Sequence, residues 1–238
     1  MKQIFLLSLR QLAGRRRLTI ILLLAALPVL ITTLITVLGD QDYSRFPEII
    51  LGGMFITAIL PIVMIAFATS AFGNEIEDRT LNFLTTKPIP RWQIALPKML
   101  GVITISGPFL LVSGMAATFI GLEGDIQATI AVGVALFVGV TAYSAIFTWA
   151  GLVTSHALGF ALFYVFLWEG VIASFLGGVR YLSVRSYTVT IMHNLDQDGL
   201  KALGNQAIEF PAAIVGAIIV TAAFFLLTIY RLRNMDVP

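Results

Sequence analysis

The residues that could do chemistry in this chain are few, and most of them lie together. Seven charges, Glu75, Glu77, Asp78, Arg79, Lys87, Arg91 and Lys98, fall within the twenty-five residues NEIEDRTLNFLTTKPIPRWQIALPK from Asn74 to Lys98. Elsewhere the notable groups are one carboxylate inside an apolar run, Glu169, and two histidines, His156 and His193. None of these forms a nucleotide site. A phosphate-cradling loop needs G-x-x-x-x-G-K-[ST], in which backbone amides and a lysine surround the phosphates, and the dipeptide Gly-Lys does not occur. With no cysteine in the chain, disulfides, thiolate metal sites and a cysteine nucleophile are excluded.

The elements that must position these groups are membrane spans. The 238 residues are 58% hydrophobic and 12% charged, against about 25% charged in an average soluble domain. Six apolar runs, Leu18–Leu38, Ile49–Ser70, Met99–Ile120, Ala128–Val153, Ala157–Leu176 and Phe210–Tyr230, are each long enough to cross ~30 Å of hydrocarbon at ~1.5 Å per residue. Pro28, Pro61 and Pro108 fall inside the first three and are expected to kink them. Small residues recur at helical spacing in two others, Ala131, Ala135 and Gly139, then Ala213, Ala217 and Thr221, which lets helices approach closely. Residues 1–17 read as an amphipathic interfacial helix, with Phe5, Leu9 and Leu12 opposite Gln3, Arg10 and Gln11, anchored by Arg15, Arg16 and Arg17. A cleaved signal peptide also begins with basic residues, but the apolar run after the arginines is longer than the ~7–15 residues of a signal core.

Six spans put both termini on one side. That side receives eleven of the fifteen Lys and Arg residues, including all those of the 74–98 loop, and the other receives only Arg45, Arg180, Arg185 and Lys201. The bias places the termini and the loop in the cytoplasm, so the clustered basic residues read as a topology signal and not as a nucleic-acid footprint. The chain is one membrane domain: spans one and two over 18–73, the loop 74–98, spans three to five over 99–176, an outer loop 177–209, span six over 210–230 and a tail 231–238. Within the outer loop, YLSVRSYTVTIMHNL is apolar enough to lie at the interface or to dip into the membrane. His156 and His193 fall on opposite faces and cannot share a metal.

Two groups remain open to a role. Glu169, inside the fifth span, is either part of a transport pathway or the anchor of the outer loop through Arg180 or Arg185. The 74–98 loop is expected to carry a helix from about Asn74 to Thr86, with Glu75, Glu77 and Asp78 at its positive N-terminal end and Leu81 and Leu84 forming an apolar ridge. Pro88 and Pro90 stop it, and Arg91 and Trp92 anchor the next segment at the interface. The ridge could dock a partner, or the loop could be a solvated connector whose cations set topology. The spacing alone leaves both open.

The run E-x-E-D-R-T-L-x-x-L-x-x-x-P-I-P-R-x-x-I-x-x-x-K, Glu75 to Lys98, resembles the cytoplasmic loop of ABC-2 type transporter permease subunits, with Glu75, Thr80, Leu81, Leu84, Pro88, Ile89, Arg91 and Lys98 at matching positions. Arg79, where many relatives have glycine, and Pro90, where they have a small polar residue, depart from that pattern. The resemblance implies an all-α polytopic protein of the cell membrane: an interfacial helix, six spans and a coupling helix between spans two and three. It implies no enzyme activity and no cofactor on this chain. ATP and Mg are expected on a separate ATP-binding-cassette ATPase, touched by Glu75, Glu77, Asp78, Thr80, Leu81, Leu84, Pro88 and Arg91. The other expected partners are membrane lipid and a second permease, either a copy or a paralogue. The apolar spans lean towards a hydrophobic or amphiphilic cargo. Two rivals are a membrane scaffold that docks a soluble partner and a gradient-driven transporter, the latter disfavoured by the lack of paired intramembrane acids and of a repeat.

Overall fold

The computed structural model describes residues 2–38, 46–77, 90–154, 156–172 and 177–235. Among these the secondary structure is helical throughout. In chain order the elements are α1 (Lys2–Leu12), α2 (Arg15–Leu38), α3 (Pro47–Gly73), α4 (Trp92–Gly121), α5 (Ile126–Val153), α6 (Ala157–Ile172), α7 (Val184–Leu195) and α8 (Phe210–Asn234). Short 3-10 turns, Gly177–Leu182 and Lys201–Gln206, flank α7.

Five of these helices, α2, α3, α4, α5 and α8, are long and apolar enough to cross a membrane, and they contain five of the six expected runs. The run expected at 157–176 is described as a helix over Ala157–Ile172, and its last four residues lie outside the described ones. The segment that follows it places α7 beside α5. Thr188 lies against Gly139, at the middle of α5, with its Oγ1 2.9 Å from where a Cβ on that glycine would stand, while the carbonyl of Leu195 accepts a hydrogen bond from Gln127 at the start of α5. Thus α7 runs antiparallel to α5 from mid-bundle to its end. Of the two placements the sequence allows for this segment, the structure has the one inside the bundle.

The burial pattern shows what surrounds the protein. α5 is the central helix, 72% of its most apolar stretch being buried, against 22% for α2 and 17% for α8. Those outer helices turn Leu22, Leu23, Leu30, Leu34, Ile218, Ile219 and Leu226 outward, exposed. An apolar exterior on this scale is stable only where the solvent is lipid. The expected small-residue positions face inward: Ala131, Ala135, Ala213 and Ala217 are buried.

Both ends of the described chain lie at one end of the bundle. The last turn of α8 buries Leu232 in a cluster with Phe72, Ile94, Ala95 and Leu152. Helix α1 packs along α4, with Ser8 against Gly101 and Leu12 buried, while Gln3, Arg10 and Gln11 stay exposed. This is the amphipathic division read from the sequence. Inside α2, Pro28 disturbs the preceding turn, where the Ser113 hydroxyl of α4 donates to the carbonyl of Ala25.

One expected boundary needs correction. The helix placed at about 74–86 does not begin at Asn74: the turns Ser70–Glu77 continue out of α3, and residues 78–89 lie outside the described residues. Glu75 therefore lies within turns that continue from α3, not at the start of a new helix.

Candidate functional site

Two places hold the residues singled out by the sequence. The first is the stem of the 74–98 loop, where α3 leaves the bundle and α4 enters it. Here Lys98 Nζ stands 2.7 Å from Glu75 Oε1, both side chains almost fully buried. The ammonium also donates to the carbonyl of Ala71 and lies 4.6 Å from the centroid of the Phe72 ring. A buried charge is tolerated only when paired and hydrogen-bonded, and this cation has a carboxylate, a carbonyl and an aromatic face around it. The pair ties the end of α3 to the start of α4.

This arrangement reassigns two residues. Glu75, expected to face an ATPase, is buried against Lys98, and Lys98, read in the sequence as a topology charge and as the last position of the loop motif, is one of the largest fully buried side chains. The signal was available: one acid and one base stand at opposite ends of the same polar loop, Glu75 five residues after the run that ends at Ser70 and Lys98 directly before the run that begins at Met99. Arg91 is half-buried and supplies the N-cap of α4, its carbonyl accepting from the amides of Ile94 and Ala95. Trp92 beside it is 41% exposed. Glu77 is the last described residue of the turns that continue α3. Asp78, Thr80, Leu81, Leu84 and Pro88 lie outside the described residues.

The second place surrounds Glu169. Its carboxylate accepts hydrogen bonds from the Tyr143 hydroxyl of α5 and, at 3.2 Å, from the backbone amide of Val184, the first residue of α7. Among the described residues neither Arg180 nor Arg185 forms an ion pair with it. Both instead line a cavity beside it, together with Ser183, Ser186 and Gln206. Ser183 caps α7 by accepting from the Ser186 amide at 3.3 Å, and Arg185 Nη2 donates to Gln206 Oε1 at 2.8 Å. Glu169 thus anchors the 177–209 segment by hydrogen bonds to a helix N-terminus and a phenol, with the charge of Arg185 nearby but not in an ion pair. Tyr143 gave no signal in the sequence, because a phenol within an apolar run looks like any other aromatic.

The anchor predicts a measurable cost. Tyr143→Phe leaves one buried carboxylate oxygen without a donor, worth about 1–3 kcal/mol, and should lower the thermal midpoint of the detergent-solubilised protein. Adding Glu169→Gln should cost less than the sum of the two single changes, since both break one interaction. Strict additivity would show that the two side chains act separately.

Among the described residues no group of three or more His, Asp or Glu side chains could hold a metal. His193 lies on α7 with Nδ1 3.2 Å from the Leu200 carbonyl oxygen, and His156 precedes α6 at the far end of the bundle.

A search of curated proteins gives no match to this chain. A family model described as ABC-2 family transporter protein matches residues 14–192, which covers α2 to α6 and most of α7. That is well over half of the sequence, and together with the multi-pass helical bundle it establishes that the chain belongs to the ABC-2 family of transporter proteins, as a membrane transport component.

Proposed function

We propose that this chain is the permease subunit of an ATP-binding-cassette exporter. Two permeases form the substrate pathway between them, a separate ATPase hydrolyses ATP, and the 74–98 loop carries the coupling contact. Both termini and the loop face the cytoplasm across the cell membrane, and α1 lies along the inner interface. Family membership and the eleven basic residues gathered on the side of the termini and the loop support this arrangement. The observation that carries it furthest is the Glu75–Lys98 pair. A loop that transmits force from a soluble motor needs a stem that does not yield, and a buried, multiply bonded ion pair across the two stem helices is such a joint.

The test is a mild-detergent pull-down of the full chain from its native membrane, followed by reconstitution and an ATPase assay. An ATP-binding-cassette subunit should copurify and be lost from Leu84→Asp. Charge reversal at Arg91 should uncouple hydrolysis from transport while the protein still elutes as a folded species. Intact protein that brings down no ATPase, or wild-type coupling in both variants, would remove the coupling reading and favour the scaffold or gradient-driven alternatives.

A further inference from the structure

We propose that the cavity between α6, the Gly177–Leu182 turn and the N-terminal end of α7 binds a single anionic group, a carboxylate or a phosphate, held by Arg180 and Arg185. The proposal goes beyond the coupling reading and does not need an ATPase to be present. The cavity encloses about 230 Å³, room for one such group.

Three observations converge on an anion. The first is charge. Two guanidinium groups line the cavity against one carboxylate, and among the described residues Glu169 forms no ion pair with either. Its oxygens are turned to Tyr143 and the Val184 amide. The cavity therefore keeps a positive excess whether Glu169 is charged or neutral.

The second is an unmet donor. One edge of Arg185 is used by Gln206, but its Nε is buried and has no acceptor among the described residues. A buried donor of a charged group is costly to leave unsatisfied. An oxyanion in the cavity would accept from it, and a guanidinium offers planar, paired donors that suit carboxylate and phosphate.

The third is position. Ser183 and Ser186, in the first turn of α7, stand on the cavity wall, and the amides of that turn are already met by Glu169 and Ser183, which leaves the arginine side chains as the donors open to a ligand. Tyr143 reaches Glu169 from beyond the midpoint of α5, which sets the cavity at the depth of the membrane. Cations at that depth are expensive and mark a function by default. The anion can arrive on a lipid headgroup or as a free solute, and the recognising chemistry is the same.

The experiment uses the full-length protein, purified in a neutral detergent and washed free of lipid. Binding is titrated with phosphatidylglycerol, with neutral diacylglycerol as the blank and with octyl phosphate and inorganic phosphate as competitors. Arg180→Gln and Arg185→Gln should each weaken phosphatidylglycerol binding at least tenfold, while Lys201→Gln, an exposed cation outside the cavity, should leave it unchanged. Competition by octyl phosphate alone identifies a membrane-borne headgroup, and equal competition by inorganic phosphate identifies a free anion; either supports the site. If Arg185→Gln loses its fold along with the Gln206 contact, Arg180→Gln decides, because the Arg180 side chain makes no hydrogen bond or ion pair to a described residue. Unchanged affinity in the arginine variants, equal loss in Lys201→Gln, or no binding of any of the three anions to the wild type overturns the proposal.

Discussion

Lys98→Ala is expected to destabilise the folded bundle by about 3–5 kcal/mol, because it breaks a buried ion pair by removing one side of it. The size of the effect comes from burial. An exposed ion pair contributes about 0–1 kcal/mol, but these side chains are 1% and 5% exposed, so water cannot take over the charge. Glu75→Ala should cost a comparable amount for the complementary reason, softened because the ammonium keeps the Ala71 carbonyl and the Phe72 ring. The double change Glu75→Gln with Lys98→Met should recover much of the loss, since replacing both charges with neutral side chains of similar length removes the desolvation cost together with the attraction. Thermal midpoints in one detergent, arranged as a double-mutant cycle, would read the coupling directly. A double variant no more stable than Lys98→Ala would mean that shape, not charge pairing, holds the stem. In the coupling proposal this recovered variant is the informative one. It keeps the fold and loses the charged joint, so its ATPase should turn over with less transport per cycle.

The sequence made the bundle legible because membrane physics leaves few choices. An apolar run of about twenty residues must be a helix, since hydrocarbon satisfies no backbone amide, and five of the six expected runs lie within helices of spanning length. The segment after the 157–176 run shows the limit of that reasoning, because hydropathy cannot see that α7 takes the chain from mid-bundle towards the end. Residues 183–195 include Ser183, Arg185, Ser186, Thr188, Thr190, His193 and Asn194, too polar to read as a span. They are tolerated because Thr188 and Thr190 donate to carbonyls within α7, of Val184 and Ser186. Pairings across the bundle were harder to read. Glu169 stood out as a lone acid, but its partners come from a phenol twenty-six residues earlier and an amide fifteen later, and an amide is present at almost every position. The nearby arginines were the obvious guess by charge. The fold turns them to the cavity instead.

Gly151→Ala is expected to be among the most damaging single-methyl additions in the protein. A Cβ on Gly151 would stand 2.3 Å from the carbonyl oxygen of Thr69 and 2.9 Å from that residue's carbonyl carbon and Cα. All three are backbone atoms, so no rotamer change can relieve the clash, and α3 and α5 would have to move apart. Overpacking a core typically costs about 1–3 kcal/mol, and a collision with main chain belongs at or above the top of that range. Gly133→Ala on the same helix is the control. There the nearest atom is Met115 Sδ at 2.9 Å, the end of a flexible side chain that can swing aside, so its midpoint should stay close to wild type. Equal losses in the two variants would show that α3 and α5 tolerate separation at Thr69. The position matters because Thr69 is followed directly by Ser70–Glu77, the turns that carry Glu75. The small-residue pattern of Ala131, Ala135 and Gly139 did not point to Gly151, which lies about three turns further along α5, at the end of the bundle that holds the loop stem. The tight contact of α5 with the α3 backbone at Thr69 is therefore close in sequence to the buried ion pair. A methyl group there should shift the stem as well as loosen the core, and in the coupled assay Gly151→Ala should lose transport before it loses ATPase binding.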